Sequence, residues 1–349
     1  MIDILLATYN GEAYLQELLD SLKKQSYADW QLIVADDCSN DASISILEKF
    51  AAEAEQKVTI IPNEKPEGCG KNNFLKLLGY SKSDYFMFCD QDDVWLPEKI
   101  EKTLRLMQKT EMREQPAADE ARQEAMPKET EAMRRPERNT TSLQAEEIAG
   151  RGKIPALVHT DLKVVDGELQ LLQESFFAYS NLRKDFSLQY LICQNSVTGC
   201  TIMGNALLRK IVLDKEIDPQ RLNMHDEWLA LIACCFGRIA FLDEPTILYR
   251  QHGKNTVGAT DAGNLRYQLK RLLNTEILQK SNMDHVREAE YFLELYGSHL
   301  HQEKKKAMLQ AFASASRGSR MAYRKTCLQQ GILKYPGKRA LIQLLLAQK

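Results

Sequence analysis

The chain has 349 residues, 44% hydrophobic and 27% charged, with a formal net charge of −2. This balance excludes a collagen, a chain disordered throughout and a small disulfide-stapled scaffold, and it leaves room for one large domain or two ordinary ones. The eight cysteines (Cys38, Cys69, Cys89, Cys193, Cys200, Cys234, Cys235, Cys327) include no C-x-x-C pair, so they read as reduced, buried thiols of a cytosolic protein rather than zinc or redox ligands.

The start, Met1-Ile2-Asp3-Ile4, has no basic segment and predicts no secretory signal. Ile2 to Ala7 is an apolar run predicting a buried strand. Leu15, Leu18, Leu19 and Leu22 follow at helical spacing. Gln31 to Ala35 predicts a second strand, ending in Asp36-Asp37. Ser39 or Asn40 is placed to cap a helix carrying Ile44, Leu47 and Phe50. Val58 to Ile61 predicts a third strand, Phe74, Leu77 and Leu78 a third helix, and Tyr85 to Cys89 a fourth strand that runs into Asp90-Gln91-Asp92-Asp93. Apolar strands alternating with helices predict an α/β fold, a mostly parallel sheet flanked by helices. Ligands of such sheets bind at the carboxyl ends of the strands.

From Lys109 to Lys153 the pattern changes: nineteen charges in 45 residues, three prolines and no aromatic residue. Such a stretch has too little apolar surface for a core and reads as a disordered insertion. Folded pattern resumes with a strand at Pro155 to His159. Leu188 to Met203 and Trp228 to Phe236 read as core, although the uncharged stretch Phe186 to Leu208 is too polar to cross a membrane. Two short strands are predicted at Ile239–Leu242 and Thr246–Tyr249, and a helical region to the end from about Asn264. The organisation is therefore 1–108 and 154–263 as two halves of one domain, 109–153 as the insertion and 264–349 as a helical, basic extension. From His301 onward eleven Lys/Arg face one acid, a charge of +10, while the first 300 residues carry −12. A basic extension on an acidic body implies an anionic partner, a membrane surface or a nucleic acid. The extension has few interleaved aromatics, which argues against nucleic acid.

The cluster Asp90-Gln91-Asp92-Asp93 carries the most chemistry. Crowded carboxylates repel unless a cation sits among them, and Mg2+ prefers one or two carboxylates plus phosphate oxygens; a solvated acidic turn is the plainer alternative. Ala7-Thr8-Tyr9-Asn10, Asp36-Asp37 and Asp90 to Asp93 all follow strands of one sheet and converge on one rim. A metal there suits a nucleotide diphosphate, and Asp37 can accept the N–H of a uracil or thymine ring, or else cap a helix. Lys71 and Asn73 precede the third helix, where they meet phosphate oxygens or serve as a surface lysine and a cap. Thr198-Gly199-Cys200 reads as a close-approach loop facing an acceptor. Trp95 and Trp228 either floor a sugar site or pack in the core. His159 reads as structural, and Asp161 and Asp166 as loop acids.

Ala-Thr-Tyr-Asn-Gly after the first strand, Val-Ala-Asp-Asp-Cys-Ser-Asn-Asp after the second and Asp-Gln-Asp-Asp-Val-Trp after the fourth resemble the family-two glycosyltransferases of GT-A fold. His159-Thr160-Asp161-Leu162, Thr198-Gly199-Cys200-Thr201, His225-Asp226-Glu227-Trp228 and Tyr249-Arg250-Gln251-His252 extend the resemblance to the bacterial rhamnosyltransferase-like branch that builds cell-wall polysaccharide. It covers about 1–108 and 154–260. The resemblance implies that Thr8, Tyr9 and Asp37, with Asn10, Lys71, Asn73 and Asp90, hold the nucleotide sugar. It implies Mg2+ or Mn2+ on Asp90 and Asp92, with His252 brought towards the metal, and Asp226 as general base. Thr198, Gly199 and Trp228 then belong to the acceptor side. The family often has Glu-Asp at the base position, where this chain has His225-Asp226.

The implied activity is inverting transfer of a sugar, rhamnose from dTDP-rhamnose, to a hydroxyl of a polysaccharide precursor on a lipid-linked glycan. The implied location is cytoplasmic, peripheral at the inner face of the membrane through the basic extension, as a monomer or oligomer. The alternative is an inactive relative serving as a sugar-binding or scaffold subunit. A sugar-phosphate nucleotidyltransferase would need a glycine-rich, Arg-containing loop after the first strand, which Thr8-Tyr9-Asn10-Gly11 does not supply.

Overall fold

The run Ile2–Thr8 forms β1, the strand around which the first half of the chain is wound. A computed structural model describes residues 1–112, 152–252, 275–315, 320–334 and 344. Helix α1 (Leu15–Lys23) buries Leu15, Leu18, Leu19 and Leu22 as its spacing predicts. Strand β2 (Trp30–Asp36), helix α2 (Ser43–Glu53), strand β3 (Val58–Ile61), helix α3 (Gly70–Tyr80) and strand β4 (Tyr85–Asp90) follow. β2 and β4 flank β1 in parallel, and β3 pairs β2 in parallel. The registers Thr8↔Asp36 and Ala7↔Asp90 bring the three motif-bearing strand ends level on one rim.

The short β5 (Val94–Trp95) and helix α4 (Lys99–Thr110) complete the first half. The rest supplies β6 (Ala156–Val165), β7 (Leu171–Gln173), helices α5 (Phe176–Tyr179) and α6 (Leu188–Leu191), β8 (Met203–Asn205), α7 (Ala206–Leu213), α8 (His225–Phe236) and β9 (Arg238–Arg250). The sheet order is β3-β2-β1-β4-β8-β6-β9-β5, with β7 on β6. It is parallel over its first four strands and mixed beyond, because β8 runs antiparallel to both β4 and β6. This is an α/β fold, a mixed sheet with helices on both faces. Among the described residues the C-terminal helices are α9 (Thr275–Tyr296), α10 (Glu303–Ser314) and α11 (Arg320–Gln330). Their Phe292, Phe312, Tyr323 and Cys327 join the same core as Phe86, Phe88 and Trp228.

Three sequence expectations change. The segments 239–242 and 246–249 are one strand, β9: its pairing with β6 steps from Thr160↔Leu242 to Asp161↔Pro245, so exposed Asp243 and Glu244 bulge out, and Pro245, with no N–H to give, follows the bulge. Helix α2 starts at Ser43, and Ser39 and Asn40 do not cap it, because Ser39 bonds Asp36 and Asn10 while Asn40 bonds Asn10. Lys109 and Thr110, placed by sequence in the insertion, finish α4. Met112 pairs with Lys153, whose Nζ lies 2.5 Å from buried Glu111, so the two ends of the intervening stretch sit side by side. Residues 113–151 lie outside the described residues, as do 253–274. All eight cysteines are free thiols.

Candidate active site

Gln91, between the first two acids of the strand-end cluster, clamps the loop after β1. Its Oε1 accepts Thr8 Oγ1 (2.7 Å) and the Tyr9 amide (2.8 Å), and its Nε2 donates to the Tyr9 carbonyl at 3.0 Å. Asn10 takes φ of 47°, its amide donating to Ser39 Oγ at 2.8 Å, while the Tyr9 ring is left half exposed. A Cβ at Gly11 would stand 2.5 Å from Gln91 Oε1, so only glycine fits beneath the clamp.

The two acids after β2 divide their work. Asp36 accepts the Ser39 amide at 2.8 Å and the Ser39 hydroxyl at 2.6 Å, so it holds its own turn. Asp37 is buried. Its Oδ1 accepts the Glu67 amide at 2.5 Å and Asn63 Nδ2 at 3.3 Å, and its Oδ2 accepts the Gly68 amide at 3.1 Å. Lys71 and Asn73 are turned inward: Lys71 Nζ donates to the Leu222 carbonyl at 2.7 Å, and buried Asn73 accepts from Asn63 Nδ2 at 3.1 Å. Neither side chain is offered to phosphate in this arrangement, and Cys69, not Asn73, occupies the cap of α3.

The acids after β4 fall into two groups. Asp92 Oδ2 lies 2.7 Å from His252 Nε2, and the His252 ring stacks on Tyr14 at 4.9 Å. Asp90, Asp93 and Cys200 have ligand atoms within 4.8 Å of one another. The expected set Asp90, Asp92 and His252 is thus split. Burial, then the charges of Asp92 and Asp226, raise Asp90 above the usual carboxylate value; burial, then the charges of Asp92 and Asp90, raise Asp93 well above it. Asp93 Oδ2 is buried and finds no nitrogen or oxygen donor among the described residues. Carboxylates in mutual repulsion, an orphaned carboxylate oxygen and an imidazole at the rim are a donor set that fits Mg2+ or Mn2+. Arg250 stitches this loop to β9. Its backbone amide donates to Asp93 Oδ1 at 3.2 Å, its Nε donates to the Asp92 carbonyl at 2.9 Å, and its guanidinium pairs with Glu17 over the Tyr14 ring. Beneath the acids, the fully buried Lys99 donates to the Cys200 carbonyl at 3.1 Å, and burial lowers it to about 8.

Asp226 opens α8. Its Oδ2 accepts the Gly199 amide at 2.9 Å, and its Oδ1 accepts Asn195 Nδ2 at 3.1 Å and the Glu227 amide at 2.7 Å. Burial first, then the charge of Glu227, push Asp226 up to about 7 against these bonds. Half-buried Thr198 precedes Gly199 in the same loop. Trp228 corrects the acceptor-side expectation. It is fully buried, stacked on Tyr291 at 5.5 Å and edge-on to Phe292, so it cannot touch a sugar. Trp95 is likewise core, beneath Lys99. His159 sits in a cage of Phe177, Phe186 and Phe241. Asp161 holds Ser175 and the first amides of α5.

The sequence reading passed over Gln91, Asn195, Lys99, Arg250 and the Glu227 side chain as working residues. Only Gln91 carried a signal, a neutral amide set among three acids.

The fold and site together define an α/β protein with a mixed sheet, an acid-rich rim and a buried carboxylate, Asp226, at the start of α8. Residues 3–135 match the family model Glycosyl transferase family 2. The chain is 25% identical over 271 residues to the dTDP-rhamnosyl transferase RfbG of Shigella flexneri, a match spanning 75% of this chain and 77% of RfbG. It is 30% identical over 111 residues to the UDP-Glc:alpha-D-GlcNAc-diphosphoundecaprenol beta-1,3-glucosyltransferase WfgD of Escherichia coli, spanning 31% of this chain and 42% of WfgD. S. aureus TarS 1–349 in complex with UDP superposes with a TM-score of 0.49 at 16% identity, covering 96% of this chain and 93% of that one. The family match is thus confined to residues 3–135, the part of the chain that carries the rim motifs.

Proposed function

We propose that the chain is an inverting glycosyltransferase moving a sugar, rhamnose from dTDP-rhamnose, to a hydroxyl of a cell-wall or surface polysaccharide precursor on a lipid-linked glycan. The observation carrying this reading is that the rim acids and Asp226 meet at one loop: Cys200 lies with Asp90 and Asp93, and the adjacent Gly199 amide donates to Asp226 Oδ2. The likeness to RfbG over three-quarters of the chain supports the choice of donor.

In the proposed reaction the acceptor oxygen attacks the anomeric carbon as the bond from that carbon to the diphosphate oxygen breaks. The acceptor proton passes to Asp226, and the nucleotide diphosphate leaves with the bonding pair. A carboxylate raised to about 7 is a better base at neutral pH than one near 3.9. The Gly199, Asn195 and Glu227 donors fix its two oxygens. Thr8, Tyr9 and Asn10, held by Gln91, take the nucleoside side with Asp37. Asp90 and the Asp92–His252 pair would together hold Mg2+ or Mn2+, which would supply Lewis-acid charge to the diphosphate when bound. Thr198 and Gly199 face the acceptor. The protein acts in the cytoplasm, peripheral to the inner face of the membrane.

The test is a donor panel with Mn2+ or Mg2+ followed by Asp226→Asn. Nucleotide release is expected from one donor, and the variant should lose about 10²–10⁴-fold in turnover with donor affinity kept. No release from any nucleotide sugar would favour the inactive, sugar-binding relative.

A further inference from the structure

Glu227 directly follows the base, yet its side chain turns away from the rim into a polar cluster built with the C-terminal extension. Its Oε1 lies 2.6 Å from His285 Nδ1 of α9 and accepts Asn223 Nδ2 at 3.2 Å. Asn223 in turn donates through its amide (2.8 Å) and Nδ2 (3.0 Å) to Glu288, one turn along from His285. Glu227 and Glu288 are buried and His285 nearly so. One end of the cluster opens on a cleft of about 680 Å³ lined also by Arg221, Asp284, Arg287 and Glu290. The other end is the first turn of α8, where the Glu227 amide donates to Asp226 Oδ1 at 2.7 Å.

We propose that His285 and Glu288 are positioning residues for the base: from the C-terminal helix they hold the Glu227 side chain, and with it the first turn of α8, so that Glu227 stays beside Asp226. The proposal rests on the base role of Asp226 given above. Two carboxyls and an imidazole in one buried cluster share protons, and His285 stands against Glu227, its Nδ1 2.6 Å from Oε1. Burial pushes Glu227 up, but the charge and hydrogen bond of His285 outweigh it and leave Glu227 below its usual value. Glu288 goes the other way: burial, with the charge of Glu227, drives it well above the usual range, so it holds the proton. The charge on Glu227 is the largest electrostatic influence raising Asp226. The charged groups around this chain of contacts are Asp90 from the sheet, facing Asp226, and Arg221, Asp284, Arg287 and Glu290 at the cleft, of which Arg221 is paired with Glu294 and Arg287 with Asp284. His225 is buried neutral. A helix outside the family-matched segment 3–135 thereby belongs to the active-site machinery.

The test reads the carboxyl directly and needs no knowledge of the donor. Full-length protein labelled with [13C]aspartate is titrated by NMR, and the Asp226 signal is identified by its absence in Asp226→Asn. Its midpoint is expected near 7 in the wild type. In Glu227→Gln it should fall by about one pH unit, as expected on removing a neighbouring like charge. His285→Ala should shift it the same way, because Glu227 then takes up a proton, and His285→Gln, which keeps a donor to Glu227 but no charge, should shift it less than His285→Ala does. A midpoint unmoved in both Glu227→Gln and His285→Ala overturns the proposal, and if Glu227→Gln does not fold, the His285 pair decides alone. Failure of the base reading is seen separately, as full turnover in Asp226→Asn.

Discussion

The Gly199 amide donates to Asp226 Oδ2 at 2.9 Å, and the place where a Cβ would stand at 199 is already taken by the His225 ring, 2.8 Å away. That ring cannot step aside: it is stacked on Phe74 at 4.4 Å and set edge-on to Phe88 at 4.9 Å. Gly199→Ala is therefore expected to destabilise the fold by about 1–3 kcal/mol, the usual result of overpacking a filled core. Turnover should fall further than stability alone explains, because the displaced loop takes its amide from the base. Thermal melting and turnover with the active donor check this; a variant with wild-type melting and turnover would show that the loop yields freely.

Activity should rise with pH through the Asp226 midpoint. In the proposed reaction Asp226 works as a carboxylate, and burial with the Glu227 charge pushes its carboxyl up to about 7. Protonation below that value removes the acceptor of the proton, so turnover at saturating donor should drop on the acid side, about tenfold per pH unit well below the midpoint. A profile flat from pH 5 to 8 would remove Asp226 from the proton transfer.

The metal reading predicts a division of labour at the rim. Asp92→Asn should cost about 100-fold or more in turnover, as loss of several kcal/mol of charge stabilisation implies. His252→Ala should weaken metal affinity about 10–100-fold while excess Mn2+ restores most of the rate. Measuring turnover against Mn2+ concentration separates the two. Full activity in excess chelator would exclude the ion from the reaction.

What the sequence made legible is the part governed by local pattern. Apolar runs such as Ile2–Thr8 and Tyr85–Asp90 announce strands, and an acid at the end of each parallel strand must reach the same rim, so Asp37, Asp90 and Asp92 could be placed without coordinates. Asp226 was legible only through resemblance. Its partners were not: Asn195 lies 31 residues away and Gly199 27, and nothing in an Asn or a Gly marks it as bound to a distant carboxylate. Trp228 was ambiguous because an aromatic beside an acid serves equally as a sugar floor or a core side chain, and only the arrival of Tyr291 and Phe292 from α9 decides between them. The direction of Lys71 was hidden for the same reason, since its ammonium donates to the carbonyl of Leu222, 151 residues away.

Stability should fall in acid by way of two histidines. His159 and His225 are buried with no hydrogen-bond partner on either ring nitrogen among the described residues, and burial lowers both to about 3. Their folded values lie below the unfolded value of about 6.5, so the stability of the neutral rings is complete above that value and is lost as pH falls towards the folded values. The cage of Phe177, Phe186 and Phe241 can accept an apolar ring, so His159→Phe should remove one of the two proton uptakes. Urea unfolding at pH 7.5 and 4.5 should show the variant losing less stability between the two than the wild type. Equal losses would mean that His159 does not titrate on unfolding.

The last expectation concerns the proposed membrane surface. Among the described residues no helix is long and apolar enough to cross a bilayer. Of the leucines near the C-terminus, Leu341, Ile342, Leu345 and Leu346 lie outside the described residues, and Leu344 is buried in the body. The outward face belongs instead to α11: Met321 is 77% exposed and Leu328 60%, with exposed Lys325 between them at i+4 and i+7 spacing, while Tyr323 and Cys327 on the other side are core. The proposed peripheral placement puts this apolar and basic stripe in the membrane interface, where each basic residue near an anionic leaflet contributes about 1 kcal/mol. Full-length protein should sediment with phosphatidylserine-containing vesicles at low salt and come off at high salt, since the Debye length shortens from about 30 Å at 0.01 M to about 3 Å at 1 M. Leu328→Glu with Met321→Glu should abolish sedimentation while leaving melting unchanged, because neither side chain packs in the core. Wild-type protein that stays in the supernatant with anionic vesicles at low salt would overturn the membrane reading; if the paired substitution then lowers the molecular mass measured by light scattering, the stripe is a contact between copies of the chain.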